Sequence, residues 1–302
     1  MNGIIDFFSD YTLRNVFLGT MLLGLGSGFA GTFAVLRKQS LLGDAVAHAA
    51  LPGIVIAFII TGSKITLPLL IGAGISGLLG ALFINLIVNT SKLDTDAAQA
   101  IVLGVFLGLG ILLLTYIQKF PGAAKAGLDK FIFGQAATIL QSDVAVIFYA
   151  ELISLAVIML FWKELKVSTF DKDFTHSIGF PPKIIEAILT ALIVVTIVIG
   201  IQSVGVILMS ALLTAPAAAA RQWTNRLGVM SALASVFGAV SGIGGSVVSS
   251  QVGKLPTGPV IVCFLTAIVV LSILFGPARG ILRRLPVKKV PIIHDDRIKQ
   301  RT

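Results

Sequence analysis

The stretch Leu41-Leu42-Gly43-Asp44-Ala45-Val46-Ala47-His48-Ala49-Ala50-Leu51-Pro52-Gly53 opens an apolar run that continues to Ile60. At ~1.5 Å of rise per residue, a helix over Leu41–Ile60 crosses the ~30 Å hydrocarbon core of a bilayer. The nearest charges upstream are Arg37 and Lys38, which puts His48 roughly 15 Å deeper, about mid-membrane. Residues four apart share a helix face, so the Asp44 carboxylate and the His48 imidazole are aimed together at whatever lies beside this helix. Ionisable residues at that depth are expensive and usually mean function.

The remainder of the chain has the same character. Of 302 residues 56% are hydrophobic and 12% charged, with mean hydropathy +0.99, whereas soluble domains carry about a quarter charged residues. The fold class is therefore all-α, a polytopic membrane bundle of eight to nine transmembrane helices. Windows of ~20 residues place spans at Leu13–Leu36, Leu41–Ile60, Thr66–Val88, Ala97–Gln118, Ser142–Trp162, Pro182–Ile201, Val204–Ala220, Leu227–Val248 and Gly258–Phe275. The transmembrane domain covers residues 1–280. Residues 281–302, charged and proline-punctuated, read as a poorly ordered cytosolic tail.

A net charge of +9 would suggest nucleic acid in a soluble protein, but here the basic residues fall between and after the spans, where they act as topology signals. With the Lys163–Pro182 linker in the cytoplasm, Arg37, Lys38, Lys92, Lys163, Lys166, Lys172, Lys183, Arg221, Arg226 and every basic residue after Gly276 fall inside. Only Arg14, Lys64, Lys119, Lys125, Lys130 and Lys254 fall outside. The N-terminus is then external and the tail internal. Residues Met1 to Phe8 lack the basic region and small-residue cleavage site of a removable signal peptide.

Small residues four apart at Gly24/Gly28, Gly72/Ser76/Gly80, Gly104/Gly108 and Gly238/Gly242 are faces on which helices approach closely in lipid. Gly26-Ser27-Gly28-Phe29-Ala30-Gly31 matches a dinucleotide fingerprint in letters only, since no strand precedes it. The single cysteine, Cys263, reads as a packing residue. Lys119–Gln141 is too short and broken to span, so it re-enters or lies at the outer surface. No Gly-x4-Gly-Lys-Ser/Thr, His-Glu-x-x-His or Gly-x-Ser-x-Gly motif occurs, which argues against a P-loop ATPase and against an intramembrane enzyme.

A carboxylate with an imidazole suits Mn²⁺, Fe²⁺ or Zn²⁺ better than Ca²⁺, which takes oxygens, or Cu⁺, which takes sulfur. Two ligands are too few to strip such an ion of water. A two-fold dimer would present two Asp44 and two His48 around one axis. Glu151, deep in the fifth span, is a second candidate for the pathway. Glu186 lies near Lys183 at a cytoplasmic helix start and reads as stabilised by the helix dipole and by pairing with that lysine. From Ser168 to Gly179 the chain reads as one short amphipathic helix, with Phe170, Phe174 and Ile178 at helical spacing and Gly179 as its stop before Pro181-Pro182. Such a segment lies on the membrane surface or is a handle for another protein.

These residues resemble the membrane permeases of bacterial ABC importers for manganese, zinc and iron. The resemblance runs from about Val16 to Gly276. Its carriers are Leu41 to Gly53, Ser210-Ala211-Leu212-Leu213-Thr214-Ala215-Pro216-Ala217-Ala218-Ala219-Ala220-Arg221, and Leu255-Pro256-Thr257-Gly258-Pro259. Phe170-Asp171 and the closing Gly179 are similar to that family's coupling helix, although His176-Ser177 stand where small apolar residues are commoner.

The resemblance implies a type II importer-like permease in the bacterial inner membrane, without enzymatic activity or a permanently bound cofactor. It implies a homodimer on two cytoplasmic ATPase subunits, supplied with its ion by an extracellular or periplasmic binding protein. Asp44 and His48 would be the transient metal site, Phe170, Asp171, Phe174, Ile178 and Gly179 the coupling residues, and manganese the favoured ion over zinc or iron because of Ala50-Leu51-Pro52-Gly53. The rival readings are a stand-alone proton-coupled secondary metal carrier, which inverted repeats would favour, and a non-transporting scaffold.

Overall fold

Inside a bilayer the backbone has no water to bond, so a chain this apolar must satisfy its N–H and C=O groups within helices. The computed structural model describes residues 11–62, 66–117, 119, 139–251 and 255–284, and they form helices without a strand. These are α1 (Tyr11–Leu36), α2 (Leu42–Thr61), α3 (Thr66–Thr90), α4 (Thr95–Ile117), α5 (Gln141–Leu160), α6 (Trp162–Phe170), α7 (Lys172–Ser177), α8 (Pro182–Val204), α9 (Val206–Arg221), α10 (Leu227–Gln251), α11 (Thr257–Phe275) and α12 (Ile281–Arg284). The predicted readings of Met1 to Phe8, of nearly all of Lys119–Gln141 and of the tail beyond Arg284 lie outside the described residues.

Eight of the nine predicted spans are helices long and apolar enough to cross: α1 to α5, α8, α10 and α11. The ninth, predicted over Val204–Ala220, is the 16-residue α9, roughly 24 Å long and short of a full crossing. It begins at Gly205, whose φ of +86° suits a residue without Cβ. Val204, Gly205 and Val206 are all buried, so the α8–α9 turn lies inside the bundle. Arg221, at the other end of α9, joins Arg37 and Lys183 around one cavity. Basic loops assigned to the cytoplasm from the charge count are thus gathered at one end of the molecule.

The centre is built from α8 and α9, where Leu189, Ile193, Ile197, Met209, Leu212 and Leu213 are fully buried. In contrast, α4, α5 and α11 turn Leu109, Leu112, Leu152, Ile153, Val270 and Leu271 outward, as lipid-facing helices do. Cys263 is exposed on α11, so the predicted packing role is corrected: its helix face looks out of the bundle rather than into it.

Three of the four small-residue faces are contact seams. A Cβ built on Gly24 would lie 2.3 Å from the Gly238 carbonyl oxygen, and one on Gly242 would lie 2.5 Å from that of Thr20, so α1 and α10 touch backbone to backbone. On α3, Gly72 meets the Gly53 backbone of α2, Gly80 meets Ala49, and Ser76 donates to the Ala49 carbonyl at 2.6 Å. Gly104 and Gly108 meet nothing within 4 Å. Their spacing is that of a packing face, but α4 turns it outward.

Candidate functional site

Helix α2 starts after the turn at Lys38 (φ +58°) and ends where Gly62 (φ +59°) donates its N–H to the Phe58 carbonyl, a left-handed C-terminal stop. Between these ends nearly every residue from Leu42 to Val55 is buried; the half-open positions are Asp44 and His48. The walls are α3 and α4 on one side and α9 on another, with Gly43 set against Leu213 and Ser210. The small residue matters, because a Cβ at Gly43 would reach within 2.9 Å of the Leu213 side chain.

The pair is brought together as its spacing predicts. His48 Nε2 lies 3.4 Å from Asp44 Oδ1. Two donors each about 2.1 Å from a single ion stand about 3.0 Å apart in an octahedral shell and about 3.4 Å in a tetrahedral one. The observed separation therefore suits two ligands of one divalent cation. His48 Nδ1 is buried and has no hydrogen-bond partner among the described residues. Among the described residues no group of three or more His, Cys, Asp or Glu side chains is gathered, so one chain offers two donor side chains at this place.

Glu151 sits elsewhere. Its carboxylate packs on the bare backbone of Gly26, whose absent Cβ makes the room, and its Oε1 is buried without a partner. It faces a cavity of about 320 Å³ between α1 and α5, lined mainly by Leu22, Phe29, Phe148, Leu152 and Ile158. Tyr149 is turned outward.

The segment Ser168–Gly179 differs from the single predicted helix. Helix α6 ends at Phe170, and Asp171 takes an extended conformation from which its carboxylate accepts the Phe174 N–H at 2.8 Å, starting α7 afresh. A capping aspartate competes with helix continuation, and here the cap wins. Phe170, Phe174 and Ile178 remain exposed, and Gly179, at φ +87°, closes the segment. Glu186 pairs with Lys172 at 2.9 Å rather than with the predicted Lys183, because α7 folds back over the start of α8.

Sequence reasoning missed Gln99, fully buried on α4 with both amide atoms unpartnered. Its helix packs against α2, and Gly110 of α4 faces Leu51 and Pro52, which places Gln99 near the level of the α2 start. One polar residue in the first turns of a span gave no periodic signal by which to find it.

A family profile described as the ABC 3 transport family matches residues 9–276. The chain belongs to that family. Its family, with eight helices among the described residues long and apolar enough to cross a membrane, makes it a multi-pass permease of the bacterial inner membrane. Relatives within reach of this ABC 3 permease include the zinc transport system membrane protein TroC of Treponema pallidum, 63% identical over 285 residues, covering 94% of this chain and 96% of the relative. The manganese transport system membrane protein MntC of Bacillus subtilis is 45% identical over 266 residues, covering 88% of this chain and 61% of the relative. Among solved structures, PsaBC from Streptococcus pneumoniae in complex with Fab superposes with TM-score 0.81 at 30% identity, covering 93% of this chain and 98% of that one.

Proposed function

We propose that this chain is the membrane subunit of an ATP-driven importer of divalent transition-metal ions, manganese favoured over zinc or iron, and that two copies form the path. The observation that carries this reading is the 3.4 Å approach of Asp44 and His48 on the half-open stripe of α2. The two-fold dimer supplies the second carboxylate and imidazole, and Glu151 is a second candidate along the route. The partners are two cytoplasmic ATPase subunits and an extracellular or periplasmic metal-binding protein. Relatives named for zinc and for manganese support a divalent cargo, and mixed oxygen and nitrogen ligation accepts either ion.

Manganese uptake into vesicles holding the permease, ATPase and binding protein, with zinc and iron as competitors, tests the choice. Uptake that persists against equimolar zinc supports manganese; uptake abolished by it makes zinc the cargo, the reading favoured by the 63% identical relative.

The exposed Phe170, Phe174 and Ile178, held by the Asp171 cap and the Gly179 turn, form the contact through which ATP-driven motion reaches the helices. Truncating a buried aromatic anchor at an interface costs about 2 kcal/mol or more. Phe174→Ala is therefore expected to weaken ATPase retention about thirtyfold in copurification, while the permease itself stays folded.

A further inference from the structure

A cavity of about 620 Å³, whose lining includes neither Asp44 nor His48, lies at the end that the charge count assigns to the cytoplasm. Arg37, Lys38, Lys172, Lys183 and Arg221 line it, against one carboxylate, Glu186. That carboxylate is already engaged by Lys172 at 2.9 Å. Among the described residues the Arg37 guanidinium donates hydrogen bonds only to the hydroxyls of Ser168 and Thr169, each at 3.4 Å. Burial pulls Arg37 below its ordinary value, with the Glu186 charge opposing the shift, as expected of a desolvated cation short of counter-charge. Four positive charges are left over, so the cavity repels the proposed cargo and attracts an anion.

The opposite wall belongs to α3, where Leu82 lines the cavity. Leu82 is 61% exposed and continues the outward apolar stripe of Leu78 and Leu86. Asn85 and Asn89 of the same helix also line it. A ligand here meets hydrocarbon on one side and cations and amide donors at interfacial depth on the other. We infer that this cavity binds the phosphate headgroup of an anionic phospholipid of the cytoplasmic leaflet, with an acyl chain along α3. Basic pockets between helices on the cytoplasmic side are suited to such headgroups. Phe170 and Lys172 also line the cavity, so the lipid lies against the segment assigned to ATPase coupling. The inference rests on the cytoplasmic placement of this end and not on the metal pair.

The test is native mass spectrometry of the assembled permease–ATPase complex released from phosphatidylcholine nanodiscs with and without phosphatidylglycerol. Wild type is expected to retain phosphatidylglycerol over phosphatidylcholine. At about 1 kcal/mol per basic residue, Lys38→Gln and Lys183→Gln are each expected to lower retention about fivefold. Both side chains are exposed, so neither change disturbs the core. Lys166→Gln, exposed but outside the cavity, is expected to leave retention unchanged. Equal retention of both lipids, or an equal drop with Lys166→Gln, overturns the inference. Expulsion of the lipid on ATPase binding would assign the cavity to ATPase carboxylates, and displacement by inorganic phosphate to a soluble anion; either overturns it too. Loss of metal transport in Asp44 or His48 variants leaves this readout unaffected, so the two accounts fail separately.

Discussion

Asp44→Ala and His48→Ala are each expected to reduce ATP-driven metal uptake by about a hundredfold or more while the permease still assembles with its ATPase. Substituting groups that merely support metal ligands costs about 10- to 100-fold in affinity, and removing a ligand costs at least as much. Assembly should survive because both side chains are half-open, and the contact shown for Asp44 is with His48 itself. The competing explanation is a helix-start acid favoured by the dipole, worth about 0.3–1 kcal/mol, beside an interhelical imidazole. On that explanation both variants lose a little stability and keep full uptake, and the search for the path moves to Glu151.

Gly24→Val and Gly238→Val are expected to abolish recovery of monodisperse, folded permease. Each glycine's missing Cβ would lie within 2.3 Å of the opposite backbone carbonyl, so any side chain forces α1 and α10 apart along the whole seam. Overpacking of ordinary cores costs about 1–3 kcal/mol; here the obstacle is backbone, which cannot rotate away. The matched comparison is Gly104→Ala, where nothing lies within 4 Å and helix propensity improves by up to about 1 kcal/mol. Size-exclusion profiles and thermal unfolding of the three variants check this. Normal profiles for Gly24→Val and Gly238→Val would mean the helices are less closely packed than described.

These contrasts mark what was legible in the residues. Hydropathy located eight spans, because a helix that faces lipid must be apolar along its length whatever it packs against. It also marked α9 as a ninth; its 16 residues fall short of the ~20 that a full crossing takes, yet it runs back to the end of the molecule where Arg37 and Lys183 lie. Small-residue spacing found three seams and one open face: spacing says which residues share a side of a helix, but not which way that side looks. The Asp44–His48 contact was readable because both residues belong to one helix, where i and i+4 are fixed by geometry.

Contacts between distant elements were not readable in this way. The exchange of Lys183 for Lys172 as partner of Glu186 depends on how α7 folds back, and the break at Asp171 on one side chain turning to the Phe174 N–H. The basic cavity draws its residues from separate loops, each of which looked like an ordinary topology signal. The family resemblance was legible in the motifs, and the relatives extend it over 94% of the chain.

The central claim is that one ion is held by two chains. Titration of Mn²⁺ into the purified permease–ATPase complex, followed by electron paramagnetic resonance, addresses it directly. The account predicts one tightly bound ion for every two permease chains, with nitrogen coupling from the imidazoles, and loss of that ion in Asp44→Ala and His48→Ala. One ion per chain, or binding unchanged in both variants, would contradict it.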